Sequence, residues 1–344
     1  MQSGMFAGKK STLIVMNHFD VDEALISRIK ETGVFDEVVL FDSNNKTKLN
    51  RFKRLVNVFA PTKLMRKLAN GTTFTHFVCF ALDFSNLSYL MQRYEKRGIA
   101  CEFSFGDDGI GTYIREGIYK PNDLVRKLLT ACRRLDVLDR VRRVYAYKPE
   151  FMVANRGYDL HPIAQSEAAC ANRRQAVCRI WSLSEDVNID NGILYFEQPN
   201  EADKDSQDQK IEQASLQMAI EALRTHSVVK LHPRSTAEEQ WRAFGILKTK
   251  MPYEVMLLQK QCAPALMMTV NSTALFSTYL FDDLPAASCP SVLLYKLMLH
   301  QNEKLTSAMN SLCAGINGAD KGAQVYAPET MDQLQQYLKE KWGK

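Results

Sequence analysis

Short apolar runs recur along this chain, and most are followed by residues at helical spacing. Residues 12–16 (TLIVM), 37–41 (EVVLF), 76–82 (HFVCFAL) and 100–105 (ACEFSF) alternate in the first half with amphipathic stretches. Residues 20–31 place Val21, Ala24, Leu25 and Ile29 on one helical face, and Gly33 ends that helix. Residues 85–96 form a second such stretch, ended by Gly98. The run 76–82 is nearly all apolar, as a strand buried on both faces must be. Strands that alternate with helices predict a parallel, doubly wound α/β sheet.

The second half repeats the arrangement. Strands are expected over 193–197, 227–231, 253–258, 265–270 and 323–326, and helices over 211–224, 236–250 and 328–341. Between the halves, 120–143 reads as a basic helix. Residues 145–159 read as a strand and loop broken by Pro149 and Gly157, and 160–190 as polar and irregular. The acidic, turn-rich stretch 184–191 sets the expected boundary near 185. It separates an N-terminal Rossmann-like domain, 1–185, from a C-terminal one, 186–344. Two such doubly wound domains facing each other across a cleft make the GT-B architecture. Ligands of open α/β sheets sit beyond the carboxyl ends of the strands.

Hydrophobic residues at 46% and charged residues at 24% fit a soluble globular protein. No apolar run reaches the roughly 18 residues of a membrane-spanning helix, and the first twenty residues lack a secretory pattern. Eight cysteines without a CxxC pair, several of them inside apolar runs, favour buried thiols in a reducing cytoplasm. No His, Cys or Asp cluster has metal-ligand spacing. The net charge of +5 is modest, but 46–67 carries eight basic residues and no acidic one, and 126–148 is a second basic stretch. These are either solvated helix faces or a docking surface for an anionic leaflet. The latter would place the protein at the inner face of the cell membrane, at about 1 kcal/mol per Lys or Arg near the surface. Nucleic acid is not an expected partner, since no known nucleic-acid motif appears.

Three motifs end expected strands. Gly106-Asp107-Asp108-Gly109 places a carboxylate at a strand end, and glycine allows a tight turn there. A base so placed takes the proton of an attacking hydroxyl. Asp and Gly are also ordinary turn residues. The spacing is not Asp-x-Asp, so a metal-bound sugar nucleotide is not implied. Lys230-Leu231-His232-Pro233-Arg234 follows the apolar run Ser227, Val228, Val229. Pro233 biases His232 toward extended backbone. A histidine held so, with Lys230 and Arg234 beside it, suits a phosphate oxygen or a leaving phosphate. The other His-Pro pair, His161-Pro162, follows a polar segment and reads as a loop. Asn271-Ser272-Thr273 puts two hydroxyls at a helix start, where free N–H groups favour a phosphate or an ordinary cap. Glu197-Gln198-Pro199 is a weaker candidate for nucleotide or acceptor contact.

The order and spacing of these motifs resemble the bacterial sialyltransferases of glycosyltransferase families 52, 38 and 80. Those families share an acidic-acidic-Gly motif, a His-Pro motif and a Ser-Ser/Thr motif. The Lys-x-His-Pro-Arg form is similar to the lipooligosaccharide sialyltransferases and the capsule polysialyltransferases. The resemblance covers 190–290 best, plus the Asp107-Asp108-Gly109 region. It implies a nucleotide-sugar donor, CMP-sialic acid, a glycan acceptor on the bacterial surface, and no cofactor or metal. It implies an inverting displacement with Asp108 as base beside Asp107, and His232, positioned by Pro233, helping CMP leave. It makes Ser272 and Thr273 donors to the CMP phosphate. The turn Asn17-His18-Phe19 matches no pattern of those families, so the acceptor stays open. Two readings remain beside this one. One is a same-fold transferase of another donor, such as another glycosyl nucleotide or a CDP-alcohol of teichoic-acid type. The other is a non-catalytic nucleotide-sugar-binding protein.

Overall fold

A computed structural model of the chain describes residues 8–16, 21–41, 62–80, 84–114, 127–128, 130–132, 135–153, 157–163, 165–181, 189–198, 206–232, 235, 237–247, 249, 251–258, 264–281, 289–299, 303–319 and 324–343. The chain divides into two compact units, Met1–Ala164 and Gln165–Lys344. The division falls about twenty residues before the expected boundary at 185. The reason is a helix, Glu167–Ile180, where the polar sequence promised none. Ser166 caps it by accepting from the Ala169 N–H at 3.3 Å. It packs on a second-unit helix, Tyr253–Leu258, and Arg173 lies 5.3 Å over the Phe281 ring.

In the first unit, β1 (Thr12–Met16) and β2 (Glu37–Phe41) pair in parallel, joined by α1 (Glu23–Glu31). Asp22 caps α1 by accepting from Leu25 N–H at 2.6 Å. A second sheet runs β3 (His76–Cys79), β4 (Glu102–Gly106), β5 (Val141–Ala146), β6 (Asp159–Pro162), all parallel and in chain order. Helices α2 (Lys63–Gly71) and α3 (Phe84–Lys96) pack on each other. Their apolar faces meet β4 and β5 in a core that includes Leu90, Tyr94, Phe105 and Val144. Tyr94 pins this layer, donating to Thr72 O at 2.8 Å and accepting from Phe74 N–H at 3.1 Å. On α2, Lys63, Arg66 and Lys67 are exposed while Met65, Leu68 and Ala69 are buried. The remainder of the basic segment, 46–61, lies outside the described residues.

Two short helices lie between β4 and β5 among the described residues: α4 (Ile110–Ile114) just after β4, and α5 (Val137–Arg140) just before β5. The expected helix over 120–143 overruns. Asp136 caps α5 at Leu138 N–H, and from Val141 the chain is already strand. His161 is a strand residue of β6, not a loop histidine. Its Nε2 lies 2.6 Å from Asp159, and its ring packs against Tyr145.

The second unit, which opens with α6 (Glu167–Ile180), holds one six-stranded parallel sheet. Its strands are β7 (Ile193–Phe196), β8 (Ser227–Lys230), β9 (Ile246–Leu247), β10 (Leu266–Thr269), β11 (Ser291–Leu293) and β12 (Val325–Tyr326). Their order is β12-β11-β10-β7-β8-β9. The chain starts in the middle, builds outward to β9, then returns to build outward from β10. That is the Rossmann order, with its topological switch between β7 and β10. Every residue of β7 and of β10 is buried, as central strands covered on both faces require.

Helices α7 (Ser206–Leu223), α8 (Glu238–Trp241), α9 (Tyr253–Leu258), α10 (Thr273–Leu280), α11 (Glu303–Ala319) and α12 (Met331–Trp342) complete the unit. Two expectations are overturned here. The helix expected over 236–250 is broken by Gly245 at φ +76°, whose carbonyl instead accepts from Val229 N–H at 2.9 Å and starts the edge strand β9. Residues 253–258 form helix α9 instead of a strand. The Pro252 carbonyl accepts from Val255 and Met256 N–H at 3.1 and 3.2 Å, closing the first turn. A six-residue apolar run has no period long enough to separate the two.

Trp241 is buried against Tyr195 of β7, with ring centroids 5.0 Å apart. Trp241→Ala is expected to lower the stability of the second unit by about 3–5 kcal/mol, read as an earlier urea midpoint. A loss below about 1 kcal/mol would show that this contact does not hold the sheet.

Candidate functional site

In the first unit the site is built on the turn after β4. Phe103 and Phe105 of β4 are buried, and Asp107 follows directly at its carboxyl end. The Asp107 side chain turns inward. Its Oδ1 accepts from Gly109 N–H at 2.9 Å, and its Oδ2 accepts from Tyr147 N–H at 3.2 Å and from the Tyr113 hydroxyl. Burial raises its pKa, against the lowering effect of these three donors. The Tyr113 phenol is itself buried and pushed far above its usual range, so it stays a donor to Asp107. Tyr113 Oη also accepts from Lys148 N–H at 3.3 Å. One carboxylate therefore ties the β4 turn to α4 and to the segment after β5.

Asp108, next in the chain, is exposed. Its backbone N–H donates to Thr112 Oγ1 at 2.9 Å, and Thr112 N–H donates to Gly109 O at 2.9 Å. Gly109 sits at φ +84°, in the left-handed region where glycine is unstrained. The two aspartates thus divide two tasks. Asp107 is consumed in fixing the loop, and Asp108 presents its side chain at the surface of a turn that is fixed.

In the second unit three motifs meet at one sheet edge. The strands are parallel, so β10, β7 and β8 all end on the same side, in that lateral order. Glu197 follows β7 and is 3% exposed. Its Oε2 accepts from His232 N–H at 2.9 Å, and its Oε1 accepts from Ser235 Oγ at 3.0 Å. Ser235 N–H donates to His232 O at 2.8 Å, so the loop after β8 is closed on itself and held to β7. His232 is half-buried. Lys230 ends β8 and is buried, its carbonyl accepting from Glu197 N–H at 3.1 Å. Pro233 and Arg234 lie outside the described residues.

Across the switch point, Thr269 Oγ1 donates to Phe196 O at 2.8 Å and accepts from Ser272 N–H at 3.2 Å. Ser272 is the N-cap of α10, accepting from Ala274 N–H at 3.4 Å, and Thr273 is its first residue. Both are half-buried. Free N–H groups of a helix start, two hydroxyls and an imidazole-bearing loop on one edge suit a phosphate ester. Among the described residues, no group of three His, Cys, Asp or Glu side chains is placed to hold a metal ion. No described helix is long and apolar enough to cross a membrane. Burial pushes the thiols of Cys101, Cys289 and Cys313 up to about 12, which disfavours their thiolate forms.

The sequence motifs located Asp107, Asp108, His232, Ser272 and Thr273 at strand ends. They did not reveal Tyr113, Thr269 or the role of Glu197, which holds the His232 loop. The available signal for Glu197 was a carboxylate directly after four wholly buried strand residues, a position where burial demands hydrogen-bond donors.

A family model described as alpha-2,8-polysialyltransferase matches residues 6–290. No curated protein matches the chain in sequence. Among solved structures, the alpha/beta-galactoside alpha-2,3-sialyltransferase of Photobacterium phosphoreum has 10% identity and a TM-score of 0.51, over 93% of this chain and 99% of that one. The UDP-N-acetylglucosamine 2-epimerase of Rickettsia bellii has 11% identity and a TM-score of 0.48, over 97% and 88%. A sialyltransferase from Photobacterium damsela has 15% identity and a TM-score of 0.41, over 92% and 81%. The first of these shows the same fold of two Rossmann-like units.

Glu197→Ala leaves the His232 N–H and the Ser235 hydroxyl without their acceptor, at an expected cost of about 1–3 kcal/mol. Glu197→Gln keeps an oxygen for His232 N–H and is expected to melt close to the wild type. Equal melting temperatures for Glu197→Ala and wild type would show that the loop is held by other contacts.

Proposed function

This chain belongs to the alpha-2,8-polysialyltransferase family and is a glycosyltransferase, and on that basis we propose that it transfers sialic acid from CMP-sialic acid to a hydroxyl of a terminal sialic acid on a bacterial surface glycan. Asp108 takes the proton of the attacking hydroxyl. The new bond forms at the anomeric carbon as its bond to the CMP phosphate breaks, and the electron pair leaves on a phosphate oxygen. One displacement inverts the anomeric centre. His232 meets the departing phosphate as ligand or proton donor, and Ser272 and Thr273 donate to the same group at the start of α10. Lys230, Pro233 and Arg234 complete the expected phosphate side.

The observation that carries this reading is the division of labour at the strand ends. In each unit a carboxylate, Asp107 or Glu197, is engaged by backbone and hydroxyl donors. The residue with reactive chemistry, Asp108 or His232, sits on the loop so anchored. Charge developing on the phosphate is met by donors fixed before the reaction, which is where electrostatic stabilisation is largest. This reading needs no metal ion, because a helix start, hydroxyls and an imidazole take up the phosphate charge. Capsule polysaccharide or lipooligosaccharide is the proposed acceptor class. The proposed setting is the inner face of the cell membrane, with the basic segment 46–67 on anionic lipid.

Asp108→Ala and His232→Ala are each expected to lower turnover of CMP-sialic acid by roughly 100-fold or more, with EDTA present and the fold unchanged. Circular dichroism melts check the fold. Near-wild-type rates in both variants would remove these residues from the reaction.

A further inference from the structure

Phe80 is 53% exposed, and among residues whose side chains are described no other phenylalanine, tyrosine or tryptophan is exposed. It follows β3 directly. Cys79 pairs with Phe105 across the β3–β4 ladder, so Phe80 comes level with Gly106. A Cβ built at Gly106 would overlap the Phe80 ring. The glycine is thus what lets the ring lie against the β4 backbone, immediately before Asp107 and Asp108. Neighbouring aromatic rings behave differently. Phe103, Phe105, Tyr113 and Tyr158 are buried in the unit, and Phe77 packs on Phe103 with centroids 5.9 Å apart.

An exposed phenyl ring gains free energy when an apolar face covers it. At the carboxyl edge of a parallel sheet, level with a position two residues before the exposed Asp108, the fitting cover is a molecule with an apolar face and a hydroxyl. Saccharides have both: C–H groups on one side of the ring stack on an aromatic face, and hydroxyls project from the rim.

We propose that Phe80 is the platform on which the terminal ring of the acceptor saccharide stacks, with Gly106 shaped to receive the phenyl ring and Asp108 within reach of the acceptor's hydroxyl. The proposal rests on the transferase reading above and adds which residue holds the acceptor. It makes Phe80 a determinant of acceptor affinity, with no part in bond making or breaking.

The test uses the full chain with a short alpha-2,8-linked sialic acid oligomer as acceptor. Phe80→Ala is expected to raise the acceptor KM about tenfold or more, the loss of one stacked apolar face, while kcat at saturating acceptor falls far less. Phe80→Tyr keeps the ring and is expected to stay within about twofold of the wild type. Oligomer binding without donor, followed by titration calorimetry, reads the platform directly, and Phe80→Ala is expected to weaken it by the same factor. Equal affinity of Phe80→Ala and wild type, or a wild-type chain that does not bind the oligomer, would overturn the proposal. If the wild-type chain binds the oligomer through Phe80 but releases no CMP from CMP-sialic acid, the donor assignment falls and the platform stands.

Discussion

The buried carboxylate of Glu197 is the contact on which the second unit's site depends. A carboxylate at 3% exposure has lost its water, and only hydrogen-bond donors can offset that loss. The donors it finds are the His232 N–H and the Ser235 hydroxyl. Satisfying Glu197 and placing His232 are therefore the same event. Asp107 repeats the device in the first unit, with Gly109, Tyr113 and Tyr147 as its donors. In both units a structural acid supports the neighbour proposed to do the chemistry.

The topology explains why these groups lie where they do. A parallel sheet sends every carboxyl end to one edge, and the order β12-β11-β10-β7-β8-β9 opens a crevice where β10 and β7 run side by side. Thr269 closes the base of that crevice, joining the end of β7 to the cap of α10. On the proposed reading, a phosphate bound above it would meet a helix start from one side and the His232 loop from the other. The proposed phosphate side thus rests on features common to nucleotide-binding sheets.

Much of this was legible in the sequence because buried parallel strands are apolar on both faces. Ile193–Phe196 and Leu266–Thr269 appear as short apolar runs, and the motifs follow them at once. Errors arose where one residue outweighed the local pattern. Pro252 starts a helix over an apolar run that reads as strand, and Gly245 ends one helix to begin β9. Ser166 starts a helix of weak amphipathicity. The division between Asp107 and Asp108 was not legible, because it depends on Tyr113 and on the backbone of Tyr147, forty residues away. The importance of Glu197 was hidden in the same manner, since its partners on the His232 loop lie 35 and 38 residues on.

The central claim is that these anchored loops serve one donor, and nucleotide release by the purified chain tests it most directly. CMP-sialic acid, CDP-glycerol, UDP-glucose and UDP-galactose would be offered separately, with a sialylated acceptor and EDTA. The account predicts release of CMP from CMP-sialic acid and no turnover of the other three. Turnover of CDP-glycerol or a UDP-sugar instead would contradict it.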